Sequence, residues 1–199
     1  MSKQKKGFLI QLINSLEKSE KRHFRLFANR NSGGNNALFL KLFDHLDKTK
    51  NQDTNAILKS IPKIKRQQIS NIKSNLYNQI LSSLRLYHRN NDMEIRLSEL
   101  VDYARLLYRK GLYLASLEIL NKAKKTAIES GRLNFALEAI DLEKHIELQH
   151  VTGSMTPKAI ELADASERLI GDIGMNQKLS SLSLKMYGLF LKHGYVRNE

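Results

Sequence analysis

Six histidines are the residues best able to hold a metal or move a proton: His23, His45, His88, His145, His150 and His193. A helical metal pair needs ligands three or four residues apart, so that both point to one side. His145 and His150 are five apart and fall on different faces of a helix. Glu143 and Glu147 flank His145 at helical spacing, but no His-Glu-x-x-His order is present. The chain has no cysteine, hence no thiolate nucleophile, thiolate metal site or disulfide framework. The run Asn31-Ser-Gly-Gly-Asn-Asn36 has the glycines of a phosphate cradle but lacks the GxxxxGK[ST] pattern. No Gly-x-Ser-x-Gly elbow occurs either. These residues describe a protein that is not an enzyme and takes no cofactor and no metal.

The basic residues are more informative. Residues 1–91 hold 18 Lys and Arg against 5 Asp and Glu, a balance of +13. Residues 92–199 hold 15 against 15, so the whole net charge of +13 resides in the first half. The boundary falls at Asn90-Asn91-Asp92, which separates a basic N-terminal helical region, 1–91, from a neutral second region, 92–199. Such asymmetry implies that the first region meets something acidic. Lys18, Lys21, Arg22 and Arg25 are expected on the exposed side of the first two helices. Lys63, Lys65, Arg66 and Lys73 cluster further on, interleaved with Gln67, Gln68, Ser70, Asn71 and Ser74. Cations among amides and hydroxyls are the chemistry that meets phosphates and base edges. If Pro62 opens a helix running to about residue 89, Lys63, Arg66, Gln67, Ser70 and Lys73 share one side that fits a major groove.

The elements that carry these residues read as helices throughout. Only two prolines occur, and apolar residues recur at steps of three and four. Helices are expected at about 8–18, 20–29, 37–49, 55–60 and 62–89, with Ser19 and Thr54 as caps. Phe8, Phe24, Phe27, Phe39 and Phe43 lie in the first three, which should share a core. Ile69, Ile72, Leu76, Ile80, Leu84 and Tyr87 stripe the long helix. No apolar run approaches the roughly 20 residues of a membrane span, and no cleavable leader pattern opens the chain. The expectation is a cytoplasmic protein without a membrane segment.

From residue 92 the helices come in pairs: 92–110 with 112–130, then 132–151 with 157–170, then a last helix at 175–193. Leu97, Leu100, Val101, Ala104, Leu107 and Tyr108 form one face, and Gly111 stops that helix. Leu117, Leu120, Ala123, Lys124 and Ala127 mark the next, closed by Gly131. So short a turn forces the two antiparallel. Small residues at Ala104, Ala115, Ser116 and Ala123 let the axes approach closely.

Leu100, Tyr103, Ala104, Leu107, Gly111, Tyr113, Ser116, Leu120 and Ala123 resemble the tetratricopeptide repeat, with Leu for its common Trp and no closing Pro. The turn glycines Gly111, Gly153 and Gly194 are 42 and 41 residues apart. That exceeds the family's period of about 34 and is similar to its elongated variants, found in some motor light chains and bacterial regulators. The resemblance implies an all-α fold: an N-terminal helical bundle followed by antiparallel tetratricopeptide-like hairpins, an α-solenoid. With no partner helix after the third turn, the expectation is either a fragment of a longer array or an unpaired capping helix, and the bare apolar face of such a cap favours the fragment. By the same resemblance the chain is a scaffold or adaptor that binds another protein or peptide. The binding face is then lined by the first helix of each pair: Asp102, Arg105, Arg109, Asn134 and Glu138. The alternative is a regulator that binds nucleic acid through Lys63, Lys65, Arg66 and Lys73.

Overall fold

The computed structural model describes residues 5–30, 36–50, 53–150 and 155–194. Among them every regular element is helical. The chain forms two compact units, Met1–Asn91 and Asp92–Glu199.

The first unit contains α1 (Lys5–Ser15), α2 (Lys18–Arg30), α3 (Asn36–Thr49), α4 (Thr54–Ser60) and α5 (Ile69–His88). One core joins them: Ile13 from α1, Phe24 and Ala28 from α2, Leu42, Phe43 and Leu46 from α3, Ile57 from α4, and Leu76 and Ile80 from α5. Phe24 and Phe43 meet at 4.7 Å between ring centroids. Both are fully buried, and burying a side chain of this size is worth about 1.5–3 kcal/mol. The stripe of α5 follows the expected spacing, with Ile69, Leu76 and Ile80 buried and Ile72, Leu84 and Tyr87 half-buried.

Three local expectations are corrected. Asp53, not Thr54, caps α4: its carboxylate accepts from the backbone N–H of Asn55 at 3.3 Å and of Ala56 at 3.1 Å. At α2, the Glu20 carboxylate reaches back 2.8 Å to accept from the Glu17 N–H, so the first turn is closed from within rather than by Ser19. Pro62 does not open the long helix. Ile61 and Ile64 are both buried and pin the chain in a turn, a short 3-10 segment follows at Arg66–Gln68, and α5 begins only at Ile69. Two apolar anchors three residues apart outweigh the preference of proline for a first helical turn.

The second unit contains α6 (Met93–Arg109), α7 (Tyr113–Glu129), α8 (Leu133–His150) and α9 (Met155–His193). Asp92 caps α6, accepting from the N–H of Glu94 at 2.8 Å and Ile95 at 3.0 Å. Helices α6, α7 and α8 start at 93, 113 and 133, and three residues separate α6 from α7 and α7 from α8. The same device makes both turns. Gly111 takes φ +76° and Gly131 φ +68°. The N–H of each donates three residues back, and the following N–H donates five back, Leu112 to Leu107 and Arg132 to Ala127. This is the Schellman stop, which uses the left-handed conformation that glycine adopts without penalty.

Neighbouring helices pack in order, and α6 also touches α8. The approach is close because the facing residues are small. Ala104, Ser116, Ala123, Ala127, Ala136 and Ala139 have no exposure at all, and the Ser116 hydroxyl donates to the Ala104 carbonyl at 2.8 Å. The expected break between 170 and 175 is absent: α9 is one helix of 39 residues that runs through Gly171 and Gly174. Of the three turn glycines that set the expected period, Gly111 and Gly194 have positive φ. Gly153 lies outside the described residues, as do 31–35 of the glycine-bearing loop.

Candidate functional site

Three surfaces carry functional side chains, and each grows from the local folding just described.

The first is the face shared by α6 and α8. Arg105 on α6 reaches Asp102 one turn earlier at 3.5 Å and forms a close pair with Glu138 across on α8. Three of the five residues expected on the binding face are thus in one ion-pair cluster. Arg109 follows one turn along α6 and is exposed. Asn134 lies apart from the cluster, in a recess of about 300 Å³ with Glu94, Arg132, Phe135, Ile173 and Gln177. That recess offers amides, a carboxylate and a guanidinium but no histidine. Tyr103 donates to Glu99 at 2.7 Å, and Tyr108 to Gln149 at 2.9 Å. The Tyr108 ring also packs on Tyr113 and His145, so Tyr108 ties α6 to α8. Leu106 stands on the same helix, more than half exposed. The Arg105 pairs are themselves open to water, where such pairs are worth about 0–1 kcal/mol. The guanidinium therefore remains exchangeable for an incoming carboxylate.

The second surface is the basic side of the first unit. Lys63, Lys65 and Arg66 are exposed, but they sit in the turn before α5 rather than along a helix. Lys73 is separate from them, half-buried in the second turn of α5 and engaged with its neighbours. The single helical side expected for Lys63, Arg66, Gln67, Ser70 and Lys73 therefore does not form. Two of the four cations expected to be exposed near the N-terminus are also taken. Lys21 pairs with Asp47 at 2.7 Å, and Arg25 pairs with Asp44 at 2.9 Å and Asp47 at 3.3 Å while lying over the Phe43 ring.

These internal pairs remove cations and acids together, so the excess of +13 in the first half remains. The first half has only five acids. Asp44 and Asp47 hold α2 to α3, Asp53 caps α4, and Glu20 pairs with His88 at 2.7 Å. Burial works to raise the Glu20 carboxyl, but the Glu17 N–H and the His88 ring outweigh it and hold its pKa below the ordinary value. A depressed carboxyl stabilises the fold above its unfolded pKa, and that contribution is lost as pH falls through the folded value. The acid midpoint gives the check. Glu20→Gln is expected to lower the urea midpoint of the protein at pH 6, and the difference from wild type should shrink as pH falls through and below the ordinary carboxyl range.

The third feature is buried and was missed in the sequence. Glu143 of α8 is 1% exposed and accepts from Lys124 of α7 at 2.8 Å. Lys158 of α9 lies 3.4 Å from the same carboxylate and also pairs with Glu147. Burial opposes the charge on Lys158, but the Glu147 hydrogen bond and the two carboxylates prevail and raise its pKa. Three helices thus converge on one carboxylate. The signal in the sequence was Lys124 falling within the apolar stripe of its helix. Glu143 likewise falls in register with Ala136, Ala139, Ile140 and Ile146 on the next. Charges of opposite sign at core positions of adjacent helices identify a buried pair.

Among the described residues no group of three or more His, Asp and Glu is placed to hold a metal. His23 donates to or accepts from Ser83 at 3.0 Å, and His45 is paired likewise with Ser60 at 2.9 Å. These histidines connect helices of the first unit. Among the described residues no helix is long and apolar enough to cross a membrane. In comparisons with known proteins, no family model, curated protein or solved structure matches the chain.

Proposed function

We propose that the chain is a non-enzymatic interaction protein, a scaffold or adaptor whose second unit is a tetratricopeptide-like array that binds another protein. The observation that carries this reading is the α6–α8 face. Two alternate helices touch there and present Arg105 and Arg109 one turn apart on α6, with Glu138 of α8 as a displaceable ion-pair partner of Arg105. Stacked antiparallel helices make such faces continuous, and helical arrays bind through them. An exposed arginine is also among the residues enriched at interface anchors. The assignment of the array by analogy speaks to architecture, and the named residues carry the site.

The test is affinity capture from the native host with the full chain and with Arg105→Ala/Arg109→Ala. Both side chains are exposed, so the double variant is expected to keep its helical content and lose its protein partners. Unchanged partners would sink the α6–α8 face.

A second reading, nucleic-acid binding by the first unit, is favoured by one observation: four of its five acids are occupied internally, while Lys63, Lys65 and Arg66 face water. Here a duplex probe titrated at several salt concentrations decides. Each phosphate contact contributes a slope of about −0.9 in log affinity against log salt, so Lys63→Gln/Lys65→Gln/Arg66→Gln is expected to flatten the slope by about 2.7. Absence of binding at low salt removes this reading.

A further inference from the structure

The far part of α9 is built for a partner that the second unit does not supply. Up to Ile173 the helix packs on α8 through Leu162, Ser166 and Leu169, all buried. From Met175 to Lys192 every residue is exposed. Yet the segment is rich in large apolar side chains. Met175, Leu179, Leu182, Met186 and Leu189 follow steps of four, three, four and three. That is the alternation of a coiled-coil seam, with Met175, Leu182 and Leu189 at d and Leu179 and Met186 at a. Each of the five is between 54% and 62% exposed. Leu184, Tyr187 and Leu191 add a second apolar line, so apolar groups cover more than half of the circumference. A helix apolar over so wide an arc is a helix that is buried in use.

Charge specifies the occupant. Lys178, Lys185 and Lys192 recur at seven-residue steps, all at the g position that borders the seam. Residues 173–193 contain no Asp or Glu. A second copy in antiparallel register sets Lys185 against Lys185 and Lys178 against Lys192. A parallel copy sets Lys178 beside Ser183 and Lys185 beside Phe190, with no carboxylate in reach. Self-pairing therefore gives these lysines no counter-charge, and a chain of net charge +13 adds long-range repulsion. A membrane surface suits a helix with one apolar face opposite a strongly charged one. Here the two apolar lines are separated by Ser183 on one side, while Lys178, Lys185 and Lys192 hold a single edge, a pattern that fits insertion between helices.

We infer that α9 beyond Ile173 is a docking helix for an amphipathic helix of another protein, one whose apolar stripe is bordered by Asp or Glu facing Lys178, Lys185 and Lys192. This surface is distinct from the α6–α8 face, so either can fail alone.

The test uses the full chain and two synthetic helical peptides with one Leu/Ile heptad seam, one bordered by Glu and the other by Lys, read by fluorescence anisotropy. The Glu-bordered peptide is expected to bind at least about tenfold more tightly than the Lys-bordered one, since charges at the seam edges set partner choice. Leu182→Asp/Met186→Asp should abolish that binding without lowering thermal stability, because both side chains are exposed. Lys178→Glu/Lys185→Glu/Lys192→Glu should reverse the preference. Four outcomes overturn the proposal. They are equal affinity for both peptides, and binding to neither. They are also a dimer of the chain alone that Leu182→Asp/Met186→Asp dissolves, and Leu182-dependent sedimentation with phosphatidylserine vesicles in the absence of peptide binding.

Discussion

Glu143→Ala is expected to destabilise the second unit by about 1–3 kcal/mol, the cost of leaving the partly buried Lys124 and Lys158 without their carboxylate. Lys124 would lose its 2.8 Å partner in a setting only 22% exposed, and Lys158 would lose one of its two. The cost comes from stranding charge, not from the worth of the pair itself. The double variant Lys124→Met/Glu143→Met should therefore recover most of the loss, because apolar replacement of a whole buried pair is often neutral. Urea unfolding of wild type, Glu143→Ala and the double variant measures both effects. A double variant no better than Glu143→Ala would show that the carboxylate acts through Lys158 and not through Lys124.

Phe43→Ala should cost the first unit about 3–5 kcal/mol, the usual range for a buried phenylalanine. The ring has no exposure, stacks on Phe24 at 4.7 Å and lies under the Arg25 guanidinium at 5.2 Å. Its loss opens a void between α2 and α3 and also removes the surface against which Arg25 is aligned with Asp44 and Asp47. Hydrogen exchange locates the effect. Amides of α2, α3 and α5 that open only on unfolding should exchange at least about a hundredfold faster, since 1.4 kcal/mol is a factor of ten. Protection unchanged in α3 would contradict the assigned core.

Much of this architecture was legible in the chain. The three-four spacing of Ile69, Leu76 and Ile80 marks the buried side of α5, and Lys110-Gly111 marks the end of α6, because periodicity and positive φ are local properties. The start of α5 was not legible. A proline after Ile61 reads as a helix opening, and only the burial of Ile61 and Ile64 in the core reveals a turn. That single tertiary fact moves Lys63, Lys65 and Arg66 off the helix and removes the groove-reading face. Gly171 and Gly174 fall between the helices expected at 157–170 and 175–193. Each costs a helix about 1 kcal/mol relative to Ala, which reads as a break, yet α9 passes through both. On the candidate face, Arg105 and Glu138 are 33 residues apart, and pattern alone placed them together only through an assumed repeat. The buried Glu143 cluster was written in the sequence as misplaced charges, visible once the stripes of α7 and α8 are set side by side.

The central claim is that the α6–α8 face binds protein. Capture from the native host with wild type, Arg105→Ala/Arg109→Ala and Lys63→Gln/Lys65→Gln/Arg66→Gln, followed by identification of what is retained, tests it most directly. The account predicts protein partners that the arginine pair loses and the lysine-rich variant keeps. Nucleic acid retained by wild type and by the arginine variant, and lost only from the lysine-rich one, would contradict it.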